Sequence, residues 1–370
     1  MNKVLFICPT SGNGGIQSWG KNLLKSFSDK EYQLCHVDIS YKRSTLHHEV
    51  GIRRKIDGIL DLVQAYKDVH NAIHYNDIAL MHTTTSGNIS TLRDYILCRL
   101  CHKHHIPCIM HCHYGCISED FTKQGFWGKL LRKTMHLYDQ IWVLDKRSEA
   151  ALKRDLLLRE KVHLTPNSIQ VPNTCDLTPK GYKTIAFVGN LIPRKGFFEL
   201  VHAIVDYNLD VKLTLIGPYS EDSVVKIKNI AGERYGSQIV CTGKLSNTET
   251  LDMIKKMDMV ALPSYYASEA FPISILEAMS LGKMVIATRR AAIPDMLTDL
   301  DGNDCGYFVR EKSVEDIAEA IKWCQSHPVD ADKRCAKAYE KVKTCYSTDV
   351  VYSQYRSLYN KVVTSNLTTS

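Results

Sequence analysis

Two glutamates, Glu269 and Glu277, stand on either side of a change in secondary structure. The apolar run Met259-Val260-Ala261-Leu262 reads as a buried strand, and Pro263-Ser264 ends it. Pro272 stands where a helix begins, because its fixed φ is already helical and its missing N–H would be unpaired there anyway. Ile273, Ile275, Leu276 and Met279 recur at helical spacing, Gly282 closes that helix, and Met284–Ala287 is the next strand. The helix start offers free N–H groups at Ile273 and Ser274, which suit an anion and a phosphate above all. A carboxylate on each side can accept hydrogen bonds from hydroxyls. The combination suits a ligand with hydroxyls on both sides of a phosphate, as in a nucleotide sugar.

These elements belong to a strand, loop, helix, strand unit of a parallel sheet. Glu269-Ala270-Phe271-Pro272-Ile273-Ser274-Ile275-Leu276-Glu277 resembles the Glu-x7-Glu motif of retaining nucleotide-sugar glycosyltransferases of the glycogen-synthase-like GT-B type, glycosyltransferase family 4. The following Ala278–Thr288 is similar to that family's "EAMA-x-G-x-PV-I-A". The resemblance implies an α/β, GT-B fold of two Rossmann-like doubly wound domains facing a central cleft. It implies that Glu269 contacts sugar hydroxyls and Glu277 the ribose, with Phe271, Ile273 and Ser274 beside the donor.

Taken in order, Lys3–Cys8 is a first buried strand, and Pro9–Gly15 is a glycine-rich loop before a helix from Ile16 to Phe27. By itself the loop is either a tight turn or a place where backbone approaches a phosphate; the resemblance puts Gly14 and Gly15 against donor and acceptor. The same loop admits a nicotinamide-enzyme reading, with Gly12, Gly14 and Asp38 in place, but position 17 is Gln and the third glycine of Gly-x-Gly-x-x-Gly is missing. Tyr41–Arg54 is expected to be a basic loop with Arg43, Arg53 and Arg54, followed by a helix over Ile56–Val69. A strand over Ile78–His82 precedes a polar loop, Thr83–Ser86, suited to lining a pocket. A helix over Thr91–His102 and a strand over Cys108–His111 come next.

Cys98, Cys101, His102, His104, His105, Cys108, His111, Cys112, His113 and Cys116 crowd this part of the chain. Zinc requires paired ligands that converge. Cys98 and Cys101 fall on a predicted helix and Cys108 and His111 on opposed faces of a predicted strand, so no metal is expected. The resemblance instead assigns a histidine at the end of this strand to the donor sugar and phosphate: His113, before Tyr114-Gly115, with His111 as fallback. Residues 121–137 read as one basic amphipathic helix with Phe126, Trp127, Leu130 and Leu131 beside Lys123, Lys129, Arg132 and Lys133. That is either a core-facing helix or a peripheral contact with anionic membrane.

Residues 170–183, with Pro172, Pro179 and Gly181, read as an interdomain linker. The expected division is an acceptor domain over 1–172, completed by a crossover helix over 349–370, and a donor domain over 183–348. After the strand Ile185–Gly189, Asn190–Gly196 resembles the family's "VGRL…KG", which implies that Lys195 binds the diphosphate. Asn190 stands where an arginine is usual, and Arg194 can replace its charge. The backbone of Lys244 and Leu245 is implied to meet the base. Ala291–Asp295 is similar to "GGIPE", with alanine for both glycines. Asn366–Ser370 is expected to fray.

The chain has 370 residues, 44% of them hydrophobic, enough for two cores, and a net charge of +7 that suits anionic partners. The thirteen cysteines sit largely in apolar runs, as small hydrophobes do in a reducing compartment. No leader or spanning segment is read. The expectation is a cytoplasmic enzyme, active where the plasma membrane's inner face supplies acceptors, that moves a hexose or N-acetylhexosamine from a nucleoside diphosphate sugar to a glycan or lipid-linked acceptor. No cofactor, metal or nucleic acid is expected; the Asp-x-Asp at Asp299-Leu300-Asp301 lies in a polar turn. A sugar-nucleotide epimerase of the same build, a dehydrogenase and a non-catalytic subunit are the alternatives.

Overall fold

The computed structural model describes residues 1–12, 14–40, 52–175 and 177–369, with side chains excepted at 52–55 and 366–369. These form two compact units: Met1–Asn167 with Val351–Ser370, and Ser168–Val350.

The first unit contains strands β1 (Asn2–Ile7), β2 (Tyr32–Val37), β3 (Ile78–Thr85), β4 (Cys108–Cys112), β5 (Gln140–Val143) and β6 (Val162–Leu164). They form one parallel sheet in the order β2-β1-β3-β4-β5-β6. Helices α1 (Gly15–Ser26), α2 (Ile52–Tyr75), α3 (Ile89–Lys103), α4 (Ile117–Thr122), α5 (Phe126–Leu137) and α6 (Lys146–Leu152) cover it. Strands β1 and β4 are buried on both faces, so they are written as continuous apolar runs rather than alternating ones.

The second unit holds β7 (Thr184–Val188), β8 (Lys212–Ile216), β9 (Ile239–Gly243), β10 (Met259–Leu262), β11 (Met284–Thr288) and β12 (Tyr307–Val309). The order β12-β11-β10-β7-β8-β9 is a doubly wound arrangement in which the chain reverses direction across the sheet between β7 and β10. Its helices are α7 (Phe197–Asp206), α8 (Glu221–Ala231), α9 (Asn247–Lys255), α10 (Ile273–Ser280), α11 (Ile293–Met296), α12 (Val314–Ser326) and α13 (Pro328–Cys345). Helix α14 (Thr348–Thr369) runs from the second unit into the first, where Tyr355 and Tyr359 pack on the fully buried Trp142 at ring separations of 4.8 and 5.6 Å.

Several local expectations are corrected. Thr83–Thr85 continue β3 rather than forming a loop, because they pair with Met110–Cys112 of β4. Residues 121–137 are not one helix. Lys123 and Gly125 are extended, and Arg132 donates to the Phe121 and Lys123 carbonyls, satisfying the end of α4 from α5. The basic stretch 41–51 lies outside the described residues, and Arg53 and Arg54 already belong to α2. The final residues remain helical to Thr369. No disulfide joins the thirteen cysteines.

Two positive-φ positions beside the second sheet should respond oppositely to substitution. Gly196 has φ 81°, and a Cβ there would meet the Pro263 carbonyl oxygen. Ala291, where the resembled family has glycine, is held at φ 44°. Gly196→Ala should cost about 1–3 kcal/mol in urea unfolding, and Ala291→Gly should gain about 0.5–1 kcal/mol, since an L side chain in the left-handed region is itself penalised. Equal signs for the two variants would contradict this account.

Candidate functional site

In open parallel sheets, ligands bind beyond the carboxyl ends of strands at the point where strand order reverses. In the second unit that point lies between β7 and β10, and the loops leaving these two strands carry Lys195 and Glu269. Lys195 ends a single 3-10 turn, Pro193–Lys195, closed by the left-handed Gly196. The Tyr265 N–H donates to the Arg194 carbonyl at 2.8 Å, tying the two loops together through backbone. Lys195 Nζ lies 3.2 Å from Glu269 Oε2, and Ser264 Oγ donates to the same oxygen at 3.1 Å. Ser264 is fully buried, and the Glu269 side chain is 9% exposed. The backbone of the Glu269 loop is pinned by Thr288 Oγ1 on the Ser264 carbonyl, Arg290 Nε on the Tyr266 carbonyl (2.8 Å), and the Ala292 N–H on the Ala270 carbonyl (3.1 Å).

Pro272 caps α10, leaving Ile273 and Ser274 as its first residues, half-buried, with N–H groups that no helical carbonyl reaches. Phe271 is buried, its ring 5.4 Å from that of Tyr346. Glu277 sits one turn further on and faces the start of α9, where Asn247 Nδ2 donates to Oε1 at 3.1 Å. Burial pushes the Glu277 carboxyl up to about 7, only partly offset by that hydrogen bond. Lys244 and Leu245 form the turn into α9, just before the Ser246–Glu249 capping box, so Asn247 links the expected base and ribose positions. Arg194 is exposed. Asn190 lies on the rim of a cavity of ≈ 500 Å³, also lined by Pro218, Tyr219 and Ser220, whose lining includes neither Lys195 nor Glu269.

In the first unit the reversal lies between β1 and β3. A cavity of ≈ 530 Å³ opens there, lined by Ser11, Gly12, Gln17, Thr84, Thr85 and Arg93 among others. Gly14 caps α1 and Gly15 is its first residue. A Cβ on Gly14 would lie 2.3 Å from Gln17 Oε1, whereas a Cβ on Gly15 would meet nothing within 4 Å. The Gly14 contact is with the free end of a flexible side chain that can swing aside, so local packing requires glycine at neither position. Asp38 is not poised for a ribose. Its carboxylate accepts from the Thr10 N–H (3.0 Å), Ser11 Oγ (2.7 Å) and the Ser40 N–H (3.0 Å). Burial alone would raise this carboxyl, but the hydrogen bonds from Ser40, Thr10 and Ser11 outweigh it and hold it well below the usual range. It fastens the glycine loop, which removes the acidic residue that the dinucleotide reading needed.

His113 follows β4, its N–H donating to the Thr85 carbonyl at 2.9 Å. Its ring lies 4.2 Å from those of Trp19 and His111. Burial pushes it well below the usual histidine value, so it is neutral, and Nε2 has no hydrogen-bond partner among the described residues. His111 is engaged on both nitrogens, with His82 Nε2 at 3.2 Å and the Thr165 carbonyl at 3.3 Å, and is a core residue. That contrast favours His113 over the fallback. Residues that the sequence reading did not single out are Ser264, Asn247 and Gln17. The Ser246-x-x-Glu249 spacing signals a helix start but not that Asn247 reaches Glu277.

Residues 176–342 match the family model described as glycosyl transferases group 1. An uncharacterized glycosyltransferase of Methanocaldococcus jannaschii is 28% identical over 318 residues, 83% of this chain and 84% of that protein. A Bacillus subtilis protein bearing the provisional name teichuronic acid biosynthesis glycosyltransferase TuaC is 25% identical over 184 residues, 49% of this chain and 43% of that protein. The crystal structure of Anabaena HepE in complex with UDP-glucose superimposes with a TM-score of 0.71 at 15% identity, covering 98% of this chain and 100% of that one.

The raised Glu277 carboxyl yields a signed pH prediction. The folded protein keeps a proton that the unfolded chain releases between the ordinary value of 4.5 and about 7. Glu277 therefore costs nothing at low pH, and progressively more stability as pH rises through that window. Glu277→Gln should raise stability above neutral pH by up to about 3 kcal/mol, with the difference vanishing in acid. A stability difference independent of pH in thermal melts would contradict the assignment.

Proposed function

Taking as premise that the chain is a glycosyltransferase with two Rossmann-like sheets of GT-B type, we propose that it is a retaining enzyme of glycosyltransferase family 4. Its donor is a nucleoside diphosphate hexose or N-acetylhexosamine, held by the second unit, and its acceptor is a growing glycan or lipid-linked saccharide of bacterial surface-polysaccharide assembly. The observation that carries this reading is the Lys195–Glu269 contact at the β7/β10 reversal, beside the start of α10. It sets a cation for the diphosphate next to a carboxylate for the sugar. UDP-glucose in Anabaena HepE and the provisional assignment of the Bacillus subtilis relative support the donor class and the pathway class.

In this mechanism Lys195, Arg194 and the N–H groups of Ile273 and Ser274 receive the charge that develops on the departing diphosphate. Glu277 accepts from the ribose hydroxyls, the backbone of Lys244 and Leu245 meets the base, and Glu269 accepts from sugar hydroxyls. The bond from the anomeric carbon to the phosphate oxygen breaks with its electron pair on the diphosphate. The acceptor oxygen bonds to the same face of that carbon, and its proton passes to the departing phosphate. The resemblance assigns Asn190 of the second unit, and Gly14, Gly15 and neutral His113 of the first, to the donor as well.

No metal is assigned to this step. Asp299 and Asp301 are engaged elsewhere: Asp299 Oδ1 accepts from the Asp301 and Asn303 N–H groups at 2.9 and 2.8 Å, and both carboxylates pair with Lys337. Among the described residues no helix is long and apolar enough to cross a membrane. Exposed Phe126 and Trp127 at the start of α5, beside exposed Lys129 and Lys133, support peripheral contact with an anionic inner leaflet from the cytoplasmic side.

Glu269→Gln keeps shape and removes charge. The expected result is a fall in turnover of at least about 100-fold, with binding of sugar-free nucleoside diphosphate nearly unchanged. A carboxylate that served only the nearby helix start would instead lower the melting temperature and leave turnover intact, and that outcome would sink the proposal. For the membrane contact, a Phe126→Ala/Trp127→Ala variant should lose cosedimentation with phosphatidylglycerol vesicles while keeping activity on a water-soluble acceptor. Undiminished cosedimentation would remove α5 from the contact.

A further inference from the structure

The amino end of the first sheet holds a second cluster of chemistry-bearing side chains. Cys98 and His102 are four residues apart in the last turns of α3, so they share one helix face. Cys108 opens β4 directly opposite. Sγ of Cys98, a ring nitrogen of His102 and Sγ of Cys108 all lie within 4.8 Å of one another, and the two thiols are fully buried. This corrects the sequence expectation that ligands in this segment do not converge. That argument weighed Cys98 with Cys101, and Cys101 turns inward to Met81 Sδ at 3.3 Å, whereas His102 shares the face of Cys98.

His102 Nε2 lies 3.8 Å from Cys98 Sγ and 3.2 Å from Asp139 Oδ2, and that oxygen also accepts the Cys108 N–H at 2.7 Å. Around a tetrahedral zinc ion, bonds of about 2.3 Å to sulfur and about 2.0 Å to nitrogen or oxygen separate neighbouring ligand atoms by roughly 3.3–3.8 Å. The three ligand atoms of Cys98, His102 and Cys108, within 4.8 Å of one another, reach these separations by side-chain rotation, and Asp139, which touches His102 but stands outside that cluster, must turn further to become the fourth ligand. Two sulfurs and an imidazole form a soft, borderline donor set that selects zinc over magnesium, calcium or manganese. Asp139 is half exposed and lines a groove of ≈ 1150 Å³, which gives the ion a path in.

We propose that Cys98, His102, Cys108 and Asp139 form a structural zinc site. On binding, each thiol releases its proton to solvent and the ion is held by two thiolates, one neutral imidazole and one carboxylate. The site is not part of sugar transfer. Cys108 begins β4 and His113 follows its end, so the strand sets them about 16 Å apart. The ion's work is mechanical: it clamps the end of α3 to the starts of β4 and β5, where the chain makes its tight return through His104 and His105, the latter at φ 56°.

The test is metal analysis of the full chain purified without chelator or affinity histidines. About one zinc per chain is expected, together with thiolate-to-metal charge-transfer absorption when cobalt(II) is substituted, a reading that needs no variant. His102→Ala changes a partly exposed side chain and should fold; it and Cys98→Ser should lose the zinc. Removal of zinc should lower the melting temperature, with restoration by zinc and not by magnesium, while turnover measured below the transition is unchanged. Absence of stoichiometric zinc together with a cobalt derivative lacking charge-transfer absorption would overturn the site, as would full zinc retention in both variants. Turnover lost in proportion to zinc in folded protein would overturn the structural role. Metal content is read without any sugar donor, so its failure leaves the transferase reading untouched.

Discussion

The contact between Lys195 and Glu269 is the constraint around which the second unit is arranged. An ion pair this buried is not a source of stability, because the desolvation of both charges offsets their attraction. It persists because the surroundings overdetermine it. Gly196 lets the β7 loop pass beneath Pro263, the Tyr265 N–H ties that loop to the β10 loop, and Ser264 satisfies a further lone pair of the carboxylate. The order of strands puts β7 beside β10, so two loops far apart in sequence leave the sheet side by side. A pair held ready in this way needs little rearrangement to meet a ligand carrying both negative charge and hydroxyls.

The first unit solves a different problem with the same topology. Its reversal point lies next to a layer of aromatic and histidine rings in which Trp19 and Trp142 pack edge to face with His82 and His111, and Tyr359 stacks on Trp142. Burying histidines there keeps them neutral. Within the layer His82 and His111 satisfy each other and their neighbours, while His113 keeps a buried nitrogen with no partner among the described residues. An unsatisfied polar atom of that kind costs stability wherever it is not used.

The opposite end of the same sheet carries the thiol–imidazole cluster. The two ends divide the work: loops at the carboxyl ends of the strands vary to suit a ligand, and the amino ends hold the layers in register. The large groove at the amino end, lined by Asp139, Glu160 and Arg356 among others, belongs with that structural edge rather than with the chemistry.

The sequence determined whatever is local. Continuous apolar strands, proline at the start of α10 and glycine after it made the parallel α/β class legible, and the contiguous run from Glu269 to Glu277 made the two carboxylates legible, because a strand, loop and helix of fixed rise leave them little freedom of placement. Only the tertiary structure decided the rest. The meeting of Lys195 with Glu269 and of Asn247 with Glu277 follows from strand order, which no local spacing encodes. The difference between His111 and His113 depends on where β4 ends. The break between α4 and α5 depends on Arg132 reaching back to carbonyls of an earlier turn. Cys98, His102 and Cys108 come together because a helix face and a strand end are brought into contact, and their positions along the chain contain only half of that information.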